Sequence, residues 1–287
     1  MLSPRLESLQ DLPFSTTELI HEAGERMSKM SIQGVQPKLS ARLDVVQGRF
    51  ILADIGGDFI LKPQNVLYPQ LPENEALTMR MAQILGIDVP LHGLVYAKDG
   101  QFCYFIKRFD RLSGKKKRHV EDFSQLLAHN RETKYQSSME RVAMAVEQFC
   151  TFPLVEKRKL FQLVLFCYLT GNEDMHLKNF SLLHDTNKVV FSPAYDLLNT
   201  TIALKNPIEE LALPLKGKKR RFKAEDFKVY FGQERLGLNE VVIGDILNAI
   251  QRVIPTWQAM IRTSFLSPTL QDAYLEILEK RCNTLAL

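Results

Sequence analysis

Cysteine is sparse in this chain. The four residues, Cys103, Cys150, Cys167 and Cys282, are scattered, with no C-x-x-C and no histidine pairing at zinc spacing. That excludes a disulfide framework and a zinc-finger-type module, and reads as buried thiols in a reducing compartment. Long apolar runs are missing too. Leu160–Thr170 (LFQLVLFCYLT) stops well short of the roughly 20 residues needed to cross a bilayer. The opening MLSPRLESLQDLPF lacks a continuous apolar core, so no signal peptide and no membrane association are expected, and the protein is expected to be cytoplasmic. There are no internal repeats and no low-complexity tracts. Charge of one sign is weak, with a net +4 and a pI near 8.8, so direct nucleic-acid binding is not expected from charge. What remains is an ordinary globular composition, 45% apolar and 24% charged, over 287 residues. That allows one large domain or two lobes.

The densest polar chemistry lies in Gly171–Phe180 (GNEDMHLKNF), directly after the Leu160–Thr170 run. Catalytic groups concentrate in loops held by apolar scaffolds. Asp174 and Asn179 carry a D-x-x-x-x-N spacing, the arrangement in which an aspartate takes a hydroxyl proton and an asparagine holds magnesium. Downstream, Ser192–Leu198 (SPAYDLL) offers Asp196 as a second hard oxygen ligand for magnesium. Upstream, Ser31–Lys38 (SIQGVQPK) has a single glycine, and Phe59–Pro63 (FILKP) holds a lone lysine, Lys62.

The order of elements is legible. A polar lead-in occupies residues 1–30, with a helix expected at Thr16–Met30. Leu39–Val46, Arg49–Asp54 and Asp58–Lys62 alternate or run apolar between Gly48 and Gly56-Gly57, a hairpin pattern. Glu73–Leu85 has helical period and a capping glycine in Gly86. Gly93–Ala97 and Gln101–Phe109 form another hairpin around Lys98-Asp99-Gly100. After Asp110 the strand pattern fades. Val120–Leu127, Ser137–Phe149, Glu156–Leu169 and the chain from Ala224 onward read as helices, with breaks at Pro255 and Pro268. No Pro/Gly linker marks Asp110, so a tight hinge is expected between an N-terminal lobe, 1–109, and a helical C-terminal lobe, 110–287. The basic run Lys216–Lys223 (KGKKRRFK) looks like a nucleic-acid patch but reads first as a solvated loop.

Together S-I-Q-G-V-Q-P-K, N-E-D-M-H-L-K-N-F, P-A-Y-D, the KRFDR of Lys107–Arg111 and the EDF of Glu121–Phe123 resemble the HipA-type serine kinases, toxins of bacterial toxin–antitoxin pairs. The likeness runs from about Ser31 to the C-terminal region. The larger HipA type has an extra N-terminal subdomain for which there is little room before Ser31, so the chain looks like the compact HipT branch, in which a separate small protein is similar to the missing piece. The resemblance implies an α+β, bilobal protein-kinase-like fold, with a small antiparallel-sheet N-lobe bearing one helix and a mainly helical C-lobe.

It also implies ATP and Mg2+ as cofactors. Asp174 would be the catalytic base, with Asn179 and Asp196 as metal ligands. Ser31, Ile32, Gln33, Gly34 and Val35 would cradle phosphate through backbone N–H groups, with Lys38 a further contact. Lys62 would position the nucleotide and pair with a helix carboxylate, Glu75, with Glu73 a close rival. Lys107 and Phe109 would meet the adenine through the backbone, and Asp110 would lie near the ribose. His176 and Lys178 join this set, the first as a hydrogen-bonded structural residue and the second steadying charge near the transferred phosphoryl. Ser31 is the implied autophosphorylation site, with Ser28 second. The implied substrate is an aminoacyl-tRNA synthetase, tryptophanyl rather than glutamyl, with translation inhibited and persistence the consequence. A helix-turn-helix antitoxin is the implied restraining partner. Two rival readings share the same residues: a small-molecule kinase of aminoglycoside or choline type, and a nucleotide-binding scaffold in a repressor complex.

Overall fold

The computed structural model describes residues 2–26, 36–112, 116–129, 132–185, 187–204 and 207–287. It divides into two compact units. One comprises Met1–Ala76 and Pro90–Lys117, the other Leu77–Val89 and Arg118–Leu287. The chain passes from the first unit to the last segment at Lys117/Arg118, and Leu77–Val89 belongs with the second unit.

The first unit is built on five antiparallel strands: β1 (Leu39–Asp44), β2 (Arg49–Leu52), β3 (Phe59–Lys62), β4 (His92–Tyr96) and β5 (Phe102–Lys107), in the order β2-β1-β3-β5-β4. Period-two burial drives the pairing: Phe59 and Leu61 of β3 and Phe105 of β5 are buried with Phe50 of β2. Phe50 meets Phe59 edge-on, ring centroids 5.0 Å apart, an arrangement aromatic quadrupoles favour. The lead-in is more than a polar extension. Leu12 is buried in this core, its amide donating to the Tyr96 carbonyl at 2.8 Å, and α1 (Thr16–Arg26) adds Leu19 and Ala23. The α1 N-terminus is held by Asp99, which accepts from the Thr16 amide at 2.9 Å.

Helix α2 (Leu71–Ile84) starts in the first unit and ends in the second. Gly86 follows it at φ +84°, the left-handed conformation a helix terminus uses.

The second unit contains a three-stranded antiparallel sheet that the sequence reading missed, in the order β6 (His119–Asp122), β7 (Ser181–Asp185), β8 (Lys188–Phe191). The helical expectation for Val120–Leu127 is corrected accordingly. Asp122 ends the strand and caps the short α3 (Phe123–Leu126) through a capping box with Gln125. β6 escapes notice because its pairing partner lies far along the chain. Helices α4 (Met139–Phe149) and α5 (Pro153–Leu169) follow. Every residue of α5 from Leu160 to Leu169 is buried, which explains why that stretch shows no polar face. A four-residue α6 (Thr200–Ala203), a π-helix at Asp226–Arg235, α7 (Glu240–Arg262) and α8 (Pro268–Leu285) complete the unit.

The expected break at Pro255 is also corrected: α7 continues through it, fixed by Trp257, which is fully buried and donates from Nε1 to the Met81 carbonyl at 3.0 Å. Pro268 opens α8, where a missing N–H costs nothing. In the basic run, Lys218 pairs with Asp226 at 2.6 Å and Lys219 with Glu209 at 3.1 Å, so part of its charge is neutralised in place. Among the described residues no helix is long and apolar enough to cross a membrane.

Candidate active site

Two groups of the expected residues can be followed, one in each unit. In the first unit, Lys62 closes β3, and its ammonium lies 2.5 Å from Oε1 of Glu75 on α2. The two side chains are 3% and 0% exposed. Taking two charges out of water is costly, and each group here offsets part of that cost for the other. The Tyr104 ring adds a face 5.5 Å from the ammonium. Glu73 takes a different partner, with Gln64 Nε2 donating to both of its oxygens at 2.9 Å.

The Lys107–Arg111 stretch ends β5. Burial pushes the Asp110 carboxyl up, but hydrogen bonds and charge from Arg108, with the Arg111 charge, bring it below the usual carboxylate range. Arg108 grips it in a fork at 3.0 and 2.8 Å. The Lys107 amide donates to the Leu91 carbonyl at 2.7 Å, so that N–H is already engaged. Lys38 sits half-buried just before β1. Ser28 and the loop residues Ser31, Ile32, Gln33, Gly34 and Val35 lie outside the described residues.

In the second unit, buried α5 delivers the chain into the polar loop. Gly171 turns it at φ +75°, where a Cβ would stand 2.5 Å from Asn199 Oδ1. Only glycine fits, for reasons of both backbone and space. The loop is held from α8 by Arg281, buried, donating to the Tyr168 carbonyl at 2.5 Å and reaching Glu173 at 3.4 Å. Thr201 donates to the same Glu173 carboxylate at 2.6 Å.

Within this frame Asp174 keeps its side chain 45% exposed. The Tyr135 hydroxyl donates to Oδ1, and Oδ2 receives no hydrogen bond among the described residues. The Asp174 carbonyl accepts from Asn179 Nδ2 at 2.8 Å. This fixes the asparagine and leaves its amide oxygen as an acceptor. Asp196 follows Tyr195, whose hydroxyl donates to the Lys178 carbonyl at 2.9 Å and lies 2.5 Å from Ser181 Oγ. That clasp ties the second acidic loop to the first. Asp196 itself has φ +57°, a left-handed conformation that aspartate and asparagine tolerate better than most residues.

His176 is buried, with Lys134 Nζ 2.6 Å from its Nε2 and the Tyr135 ring edge-on at 5.0 Å. Burial pushes its pKa below 6.5. Asp174 works against this shift and the Lys134 charge adds to it. The ring is therefore held neutral, and Nε2 can accept from the lysine. Half-buried Lys178 carries its charge toward Asp122, whose carboxyl burial pushes up and Lys178 draws back down.

Sequence reasoning missed Lys134, Tyr135, Arg281 and Thr201. No spacing rule could have found them, because each reaches the loop from a distant segment. For Tyr195, the tyrosine of P-A-Y-D beside the acidic residue was the available signal.

The donor set fits a magnesium nucleotide by its chemistry. Carboxylate and amide oxygens are hard ligands, and Asn179 has directed its N–H elsewhere. A lysine paired with a helix carboxylate is also the arrangement that kinases use to contact nucleotide phosphates.

Residues 30–257 match the family model of the HipA-like C-terminal domain. A Haemophilus influenzae protein named "Putative kinase" is 33% identical over 280 residues, covering 85% of this chain and 76% of that protein. The serine/threonine-protein kinase toxin HipA of Shewanella oneidensis is 26% identical over 264 residues, covering 85% of this chain and 59% of the toxin. In solved structures, HipA of that organism, in a complex with HipB and operator DNA, matches with a TM-score of 0.75 at 23% identity, over 98% of this chain and 74% of that one. The chain thus spans about three fifths to three quarters of these proteins' lengths.

Proposed function

From the premise that this chain belongs to the HipA-like C-terminal domain family, we propose that it is an ATP- and magnesium-dependent serine/threonine protein kinase. The observation that carries the reading is the Lys62–Glu75 pair, buried where a kinase fold needs a lysine held for the nucleotide's phosphates.

When bound, the magnesium nucleotide supplies the phosphoryl group and the charge neutralisation around it. The rest is done by side chains of this protein. Asp174 accepts the hydroxyl proton of the acceptor serine at Oδ2, while Tyr135 holds Oδ1 and so fixes the rotamer. Asn179 and Asp196 would hold the metal, the first kept in place by the Asp174 carbonyl and the second following Tyr195, which ties the two loops together. Lys62 orients the phosphates, and His176, held neutral, acts as a structural neighbour of Asp174.

The acceptor is an aminoacyl-tRNA synthetase, tryptophanyl in preference to glutamyl. The effect is arrested translation, a helix-turn-helix antitoxin restrains the enzyme, and autophosphorylation at Ser31 switches it off. The kinase-toxin name of the Shewanella relative and the antitoxin complex of its structural neighbour support this reading. The test incubates the purified chain with labelled ATP, magnesium and each synthetase, with Asp174→Asn as control. Label on a synthetase and on Ser31, absent with Asp174→Asn, is the expected result. Label transferred to aminoglycosides or choline but to no protein would assign a small-molecule kinase instead.

A further inference from the structure

Outside the candidate active site, the described residues contain a cluster of metal-ligating side chains: His119, Glu121 and His184. It arises from strand register. His119 on β6 lies directly opposite His184 on β7, so both side chains leave the same face of the sheet. Glu121, two residues along β6, returns to that face by the period of the strand. One ligand atom from each residue falls within 4.8 Å of the others.

The finer distances are those of a coordination set. Glu121 Oε2 is 2.9 Å from His184 Nε2 and 3.8 Å from His119 Nε2. A tetrahedral zinc with bonds of 2.0–2.2 Å places its ligand atoms about 3.3 Å apart, between those two values. The imidazoles face one another with centroids 4.3 Å apart and planes inclined by 31°.

An ordinary histidine–carboxylate hydrogen bond does not describe the arrangement. His184 Nε2 is shielded from solvent and has no hydrogen-bond partner among the described residues, although the Glu121 oxygen is only 2.9 Å away. The oxygen lies off the line along which the ring N–H would donate. A buried nitrogen left in this way is costly. A cation between the three groups would use its lone pair. Leu182, opposite Glu121 on the same face, is buried and provides an apolar floor.

We propose that His119, Glu121 and His184 form a site for a zinc-class divalent cation, with water completing the shell. Two imidazoles and one carboxylate suit zinc, and also cobalt and nickel, better than the hard, oxygen-seeking magnesium. The site would clamp edge strand β6 to β7, and β7 begins two residues after Asn179. The cation would therefore brace the strand that anchors the catalytic loop, without touching it.

The test uses the full chain, freed of metal with a chelator and titrated with Zn(II), and in parallel with Co(II). Binding of one equivalent is expected, with the visible absorption of a tetrahedral cobalt centre and slowed hydrogen exchange of the β6 and β7 amides. His119→Ala and His184→Ala should each weaken binding by more than about a hundredfold, since loss of an outer-shell partner alone typically costs 10–100-fold. His119 is exposed, so its replacement leaves the core intact. Glu121→Gln should weaken binding and alter the cobalt spectrum. An absence of binding, or binding unchanged in both histidine variants, overturns the proposal.

Discussion

Replacing Lys62 by Met would take the Lys62 ammonium from the Glu75 carboxylate, which is 0% exposed. Removing one partner of a buried pair typically costs about 3–5 kcal/mol. Glu75→Leu should cost a similar amount, since the ammonium it strands is 3% exposed. Replacing both together should be close to neutral, or stabilising by about 1–4 kcal/mol, because neither charge is then buried. The two single effects therefore do not add, and the double-mutant cycle should give a coupling of several kcal/mol. Native-state hydrogen exchange of the β3 and α2 amides reads this locally. At about 1.4 kcal/mol per factor of ten, each single variant should lose about two to four orders of magnitude of protection, and the double variant should regain it. ATP binding should fall in the two variants that lack Lys62, since neither offers the phosphates that lysine, whereas Glu75→Leu keeps the lysine and loses only the carboxylate beside it. That separates the fold's need of the pair from the nucleotide's need. Single costs below about 1 kcal/mol that add in the double variant would refute the reasoning, because they would mean that water reaches both charges.

Asp196→Asn should lower phosphoryl transfer at least about a hundredfold, the scale of several kcal/mol of metal stabilisation. Asparagine also tolerates the left-handed backbone at φ +57°, so thermal unfolding should be unchanged. Arg281→Met takes the charged partner from Glu173, which keeps Thr201, and one donor from the Tyr168 carbonyl, and should cost about 3–5 kcal/mol. Unfolding followed by the fluorescence of Trp257, the single tryptophan, measures it, and a loss under about 1 kcal/mol would show that the loop is held by other means. For His176, the folded pKa lies below 6.5 because burial disfavours the charged ring. Its contribution to stability is therefore fully present above pH 6.5 and lost as pH falls through the folded value. The stability difference between the wild-type protein and His176→Gln should be flat above that pH and shrink below it. An imidazole titrating at or above 6.5 by NMR contradicts this.

Short-range pattern put Asp174, Asn179, Asp196 and Lys62 forward as candidates, because the spacing D-x-x-x-x-N and the strand ending in K-P are local properties of the chain, and the family resemblance joined them into a set. The five strands of the first unit were legible for the same reason: hairpins pair neighbours, and glycine punctuates them. What depended on distant segments meeting was invisible. In the sequence Glu75 was the preferred partner of Lys62, with Glu73 a close rival. Helical phase separates residues two apart onto different faces, so Glu75 meets Lys62 and Glu73 meets Gln64. β6 read as helix because its hydrogen bonds go to a strand about sixty residues later, and α7 ran through Pro255 because tertiary packing, with Trp257 buried at its centre, outweighed the proline. The same distance hid the His119–Glu121–His184 cluster. Its ligands become neighbours only when antiparallel register sets His119 opposite His184, and register is a property of the paired sheet rather than of either strand alone.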